Sequence, residues 1–161
     1  MADHGINVSR ADTAVATPNA ATCGIPFVIG TAPLSKATGT AATAGTPVLC
    51  TSYTEAEEQL GYDNDWAKFT VCEVMYYHFK LCACQPVIFL PLAENAEAEA
   101  VAAAVEQVEA CLTMFGIVPD LIMAPGFSKE ATVAAALAAK AGSINGMFSG
   151  KALVDISRSE E

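Results

Sequence analysis

The apolar positions fall into short runs and helical stripes that alternate along the chain. Gly24 to Gly30, GIPFVIG, has the β-branched and aromatic content of a central strand, and Thr31-Ala32-Pro33 closes it. Thr46 to Cys50, TPVLC, reads as a second short strand that Pro47 places at an edge or at a strand start. Pro86 to Leu90, PVIFL, is a third, with Pro91 expected to end it. Asp120 to Ala124 is a fourth, of the kind a sheet buries on both faces, and Ala152 to Ile156, ALVDI, is the last.

Between these runs the period changes to that of helices. Ser52-x-x-Glu55 and Thr54-x-x-Glu57 are overlapping capping boxes, which predict a short helix from about Tyr53 to a stop at Gly61. After the polar turn Asp63-Asn64-Asp65, the spacing of Cys72, Met75, Tyr76 and Phe79 predicts a longer helix over 66–81 with a core-facing stripe. Val101, Val105, Val108, Leu112 and Phe115 step by four and three along one face of a further helix, ending at Gly116. The stretch Val118 to Ala141 then reads as a strand, a Pro125-Gly126 turn, and an alanine-rich helix with Ser128 as its cap and Gly142 as its break. SINGMF, with Gly146 and Gly150 around Met147 and Phe148, fits a short packed turn. Strand, helix, strand, helix, strand in this latter half argues for parallel pairing.

The fold class expected is therefore α/β: a single domain, residues 23–156, with a mostly parallel mixed sheet flanked by helices. Residues 1–22 read as an extended N-terminal arm and 157–161 as a polar tail. Within the arm, Ile6 and Val8 alternate with Asn7 and Ser9, the period of a strand with one face to bury. A lone strand ahead of a domain needs a partner edge, on its own sheet or on another molecule.

At 161 residues the chain can bury a real core without metals or disulfides. Alanine inflates the 53% hydrophobic content, and no apolar run approaches the roughly 20 residues that span a bilayer, so no membrane partner is expected. Asp3, His4 and Asn7 interrupt what would have to be a signal segment, which points to a cytoplasm. A formal charge of -10 opposes attraction to phosphate backbones and argues against nucleic acid.

Catalytic chemistry finds little to stand on. Cys23, Cys50, Cys72, Cys82, Cys84 and Cys111 lie in or beside apolar runs without CxxC spacing, and read as reduced small hydrophobes. His78 lies near a core stripe and reads as structural. No phosphate loop is present, and the APGFS around Ser128 is not the GxSxG of a nucleophile elbow. Catalytic, cofactor and metal residues are all expected to be none. An alternative is a small-ligand-binding module or enzyme of flavodoxin-like type, with its site near Pro125, Gly126, Ser128 and Asp155, because open α/β sheets bind ligands at the carboxyl ends of strands.

Several segments together resemble the tail sheath proteins of contractile bacteriophages and related injection particles. They are MADHGINVSR at the start, IPFVIGTAPL from Ile25, PVLCTSYTEAEEQLGYDNDW from Pro47, FTVCEVMYYHF from Phe69, PVIFL from Pro86, and LIMAPGFSKEATVAAALAAKAGSINGMFSGKALVDI from Leu121. The resemblance implies a noncatalytic structural subunit that stacks with its own copies into a helical sheath around an inner tail-tube protein. Its arm would add Ile6 and Val8 to a neighbour's sheet, and the assembly would form in the bacterial host cytoplasm as part of a virion tail. Family members usually carry an inserted domain after the segment matching PVIFL and continue beyond ALVDI. Against that pattern the chain is expected to be shortened, and a third expectation is a monomeric accessory that limits sheath growth.

Overall fold

The computed structural model describes residues 24–156; the arm, with Ile6 and Val8, and the polar tail lie outside the described residues. The strands form where the apolar runs predict them: β1 (Pro26–Thr31), β2 (Val48–Cys50), β3 (Val87–Leu92), β4 (Leu121–Met123) and β5 (Lys151–Leu153). They make one sheet in the order β2-β3-β1-β4-β5. Strands β3, β1, β4 and β5 are parallel, and β2 runs antiparallel against β3 at one edge. Pro47 is thus at the start of an edge strand, as its missing N-H requires.

Helices cover both faces of this sheet. On one side α1 (Tyr53–Leu60) and α2 (Thr70–Met75) bury Ala56, Leu60, Val71 and Met75 against Val28, Val87 and Phe89. On the other, α3 (Ala98–Ala104), α4 (Ala110–Phe115) and α5 (Ala131–Gly142) bury Val101, Cys111, Val133 and Leu137 against Phe27, Ile29, Ile88, Leu90 and Ile122. The alternation of side chains along each central strand feeds both cores, which is why these runs are continuously apolar. Lys140 on α5 ties the α3–α4 segment down, donating to Glu106 Oε2 at 2.5 Å and Glu109 Oε1 at 2.8 Å.

Four expectations need correction. Pro91 does not end β3 but lies within it, paired in register with Gly30. Strand β2 begins at Val48, opposite Phe89, so the side on which Pro91 lacks an N-H has no ladder to break, and its carbonyl accepts from Gly45 N instead. The helix expected over 66–81 begins only at Thr70, because Asp65 O accepts from Lys68 N and Phe69 N in a tight turn. It then loosens into a π-helical stretch at Tyr76–Leu81. Ser128 does not cap α5: the N-cap position is Glu130, with no side-chain cap bond. Finally β4 and β5 are less covered than the sequence suggests, with Leu121 and Met123 half-buried and Leu153 55% exposed.

The α1 cap follows expectation with one shift. Ser52 Oγ accepts from Glu55 N at 3.2 Å, while Glu55 Oε2 reaches back to Thr51 N and Oγ1, both at 2.8 Å, one residue earlier than the standard box. Gly61 ends α1 as predicted; Gly116 ends α4, but the single helix expected before it is split by a 3-10 stretch at Val105–Glu109. Burial lifts the thiols of Cys50 and Cys111 to about 12 and that of Cys72 to about 11, so all three stay protonated and unreactive at neutral pH. Burial also lowers the pKa of His78, favouring the neutral ring.

Candidate functional site

Counted among the parallel strands alone, the order is second, first, third, fourth, so the winding reverses between β1 and β4. In such sheets the crevice at that reversal, at the carboxyl ends of the two strands, is the place for a ligand. Here the start of α2 fills it. Thr31 Oγ1, at the end of β1, donates to Lys68 O at 2.5 Å and accepts from Thr70 N at 3.3 Å, drawing the helix start onto the strand end. Thr70 is 6% exposed and sits between Gly30 and Gly126: a Cβ at Gly30 would lie 2.3 Å from its hydroxyl, and one at Gly126 would lie 3.1 Å from its methyl. Its Oγ1 is a buried polar atom without a hydrogen-bond partner among the described residues.

Ser128 and Asp155, two of the four residues expected at this end of the sheet, do meet. Ser128 is 2% exposed; its hydroxyl donates to Asp155 Oδ2 at 2.8 Å and accepts from Asp155 N at 3.0 Å. The pair is reciprocal, so it fastens the chain after β5 to the loop between β4 and α5. Pro125 and Gly126 form the turn beside it, with Gly126 at a φ of +78°. Ser128→Ala removes both bonds and leaves the Asp155 N-H without this acceptor. The expected loss is about 1–2 kcal/mol, read as a lower denaturant midpoint with an unchanged slope.

The other notable surface is the outer edge of β5, which pairs with no further strand among the described residues. Lys151 N donates to Asp120 O of the β4 side, and Asp155 N points the same way to Ser128. By strand alternation the N-H and C=O groups of Ala152 and Val154 therefore point to the open side. The side chains of Ala152 and Val154 pack on the α5 core, while Leu153 faces the other side of the sheet, where the cover given by α1 and α2 reaches no further than Met123. The turn before β5 adds to this surface. Asn145 and Gly146 both take positive φ, 52° and 70°, with Phe148 and Ile144 exchanging backbone hydrogen bonds across the turn. Ile144 is buried, but Met147 is 76% and Phe148 40% exposed, so the turn is not packed as expected. With Ile156 at 92%, four apolar side chains fringe the outer edge of β5.

The root of the arm lies close by. Gly24, Asp120, Leu121, Ser149, Gly150 and Lys151 line an open groove of about 730 Å³ at the amino ends of β1, β4 and β5. Asp120 anchors the chain there, its Oδ2 accepting from Ile25 N at 3.2 Å.

No protein-family model matches the chain. Nor does any curated protein match it at the level that would mark a relative. Among the described residues no helix is long and apolar enough to cross a membrane, and no group of three or more His, Cys, Asp or Glu could hold a metal ion. The outer edge of β5 could not be read from sequence, because the alternation in ALVDI says only that a strand exists. The placement of Met147 and Phe148 directly after the Asn145-Gly146 turn signal was the available hint.

Proposed function

We propose that the chain is a noncatalytic structural subunit of a contractile tail sheath, polymerising around an inner tail-tube protein through exchange of its N-terminal arm. The observation that carries the reading is the outer edge of β5, fringed by Met147, Phe148, Leu153 and Ile156. An exposed parallel edge with apolar neighbours invites pairing with another strand; β5 is short and opens on the exposed Lys151, so it is the apolar fringe that supports its use. In sequence the arm alternates Ile6 and Val8 with Asn7 and Ser9, the period of a strand with one apolar face. Main-chain hydrogen bonds supply affinity in such additions and the alternate side chains supply register. A head-to-tail contact of this kind builds a filament when its rotation does not close. The resemblance in IPFVIGTAPL, APGFS and ALVDI gives the assembly its identity, and with it the virion tail and host cytoplasm as its place.

A small-ligand module of flavodoxin-like winding is the second reading, favoured by the strand order. Thr70 weighs against it by occupying the crevice, and Ser128 and Asp155 are spent on each other. An accessory that limits sheath growth draws on the same edge and differs only in not polymerising alone.

Negative-stain electron microscopy across a concentration series, with mass by light scattering, tests the reading. Tubes or rings of regular width are expected from the full chain. Deleting residues 1–22 should abolish them while circular dichroism stays that of the folded domain. A monomer at every concentration, or tubes that persist without the arm, would overturn it.

A further inference from the structure

The outer edge of β5 is short, and its chemistry is the complement of itself read backwards. Lys151 N donates to Asp120 O and Asp155 N to Ser128 Oγ, so Ala152 and Val154 turn their N-H and C=O groups outward. A strand that pairs antiparallel with this edge must exchange hydrogen bonds with those two residues. When that strand is β5 of a second copy, the registers that do so set Ala152 against Ala152, Val154 against Val154, or Ala152 against Val154. The first puts Lys151 opposite Leu153 and Asp155 opposite Ser149. The second puts Leu153 opposite Asp155. Only the last sets Lys151 of each copy opposite Asp155 of the other, with Leu153 facing its own counterpart on the two-fold axis.

We infer that β5 pairs antiparallel with β5 of a second copy of this chain in that register, joining the two five-stranded sheets edge to edge about a two-fold axis. Ala152 and Val154 of both copies make the main-chain hydrogen bonds. Lys151 and Asp155, both exposed, neutralise each other across the axis. Ser128 donates to Oδ2 of Asp155, and Oδ1 is the atom that Lys151 takes. Leu153, 55% exposed, meets its counterpart at the close, non-hydrogen-bonded position, on the side of the sheet where the cover of α1 and α2 reaches no further than Met123. Ile156, 92% exposed, comes opposite Gly150, which sets no side chain against it. A lysine on an edge strand guards against nonspecific pairing, and here it admits the one register that brings Asp155 to it. The two-fold contact closes on itself, so it gives a dimer and not a fibre. The pairing does not rest on the sheath reading. Where that reading holds, the dimer occupies the edge that an arm would take and must open before assembly.

Mass by light scattering, at concentrations below those that give tubes, tests the pairing on the full chain, on Lys151→Asp, on Asp155→Lys and on an equal mixture of the two variants. The full chain should be a dimer in equilibrium with single chains. Each variant alone sets like charges against each other twice, which should weaken dimerisation by roughly tenfold or more. The mixture should restore it, because in the mixed pair opposite charges meet at both places. Val154→Pro removes an outward N-H and leaves the Ser128–Asp155 contact in place, so it tests the edge independently; it should stay at the mass of one chain. Circular dichroism like that of the full chain confirms the fold of each protein. A full chain with the mass of one chain throughout would overturn the inference. So would folded variants that dimerise as the full chain does, or a folded mixture that gains no mass. Dimers that form only after deletion of residues 1–22 would assign the edge to the arm and overturn it too. Tubes with no dimer at lower concentration would support the sheath reading against this inference, and dimers with no tubes at any concentration would do the reverse.

Discussion

Gly61→Ala is expected to remove about 3–5 kcal/mol of stability, a large part of the roughly 5–15 kcal/mol that holds a domain of this kind together. Gly61 ends α1 at φ 75° and ψ 173°. That region of backbone space is open to glycine and nearly closed to residues with a Cβ, at a cost of about 1–3 kcal/mol. The surroundings make it worse. A Cβ there would stand 2.4 Å from Pro33 O and 3.0 Å from Ala37 N, both main-chain atoms of the short 3-10 turn at Leu34–Lys36. Backbone cannot swing aside as a side-chain tip does, so α1 must move off the sheet and take Leu60 with it. Leu60 is wholly buried beside Val71 and Phe89, so the displacement opens the α1–α2 core. Chemical denaturation should show a midpoint lowered accordingly, or no folded baseline at all. Gly116→Ala is the control. It also has positive φ, 69°, but nothing lies within 4 Å of its Cβ position, so its loss should be near 1 kcal/mol.

The stop at Gly61 was legible in the sequence, because a glycine after a capped helix has a local cause; the contact with Pro33 was not. The same division runs through the chain. All five strands overlap the apolar runs that predict them, although β5 is Lys151–Leu153 rather than Ala152–Ile156; in β1 and β3, burial on both faces leaves a local composition that needs no knowledge of neighbours. The errors gather where a distant partner outbids a local rule. Ser128 sits where a helix cap belongs, yet its hydroxyl is taken by Asp155, 27 residues on. Pro91 is a strand breaker only if its N-H side faces a ladder, and that depends on where β2 begins. The start of α2 at Thr70, not Trp66, is fixed by Asp65 and by Thr31 across the sheet. The order of strands, and with it the exposure of β5, is a property of the whole topology and has no signature in ALVDI.

Gly30→Ala should cost about 2–4 kcal/mol, and Thr70→Ala in the same chain should return most of it. Gly30 lies in β1, between β3 and β4 in the sheet, and its α carbon faces the first turn of α2. The added methyl would meet Thr70 Oγ1 at 2.3 Å and Val71 Cγ2 at 3.3 Å, an overpacked contact in a layer that has no room to expand. Thr70→Ala alone gives up a methyl and a hydroxyl that has no hydrogen-bond partner among the described residues, so its own cost should be small, below about 1.5 kcal/mol. In the double variant the alanine methyl at 30 enters the space that the threonine vacates. A coupling energy of about 1–3 kcal/mol from the four denaturation curves would establish that the two residues share one site. Additive losses would mean that Gly30 is required for the strand itself and not for the approach of α2. The pair also decides how the crevice between β1 and β4 is to be understood. Strong coupling means that the winding reversal, where other sheets of this type open to ligands, is here a close-packed joint between strand and helix. A joint of that kind would suit the structural subunit proposed above, with Gly30 and Thr70 as its two contacting sides.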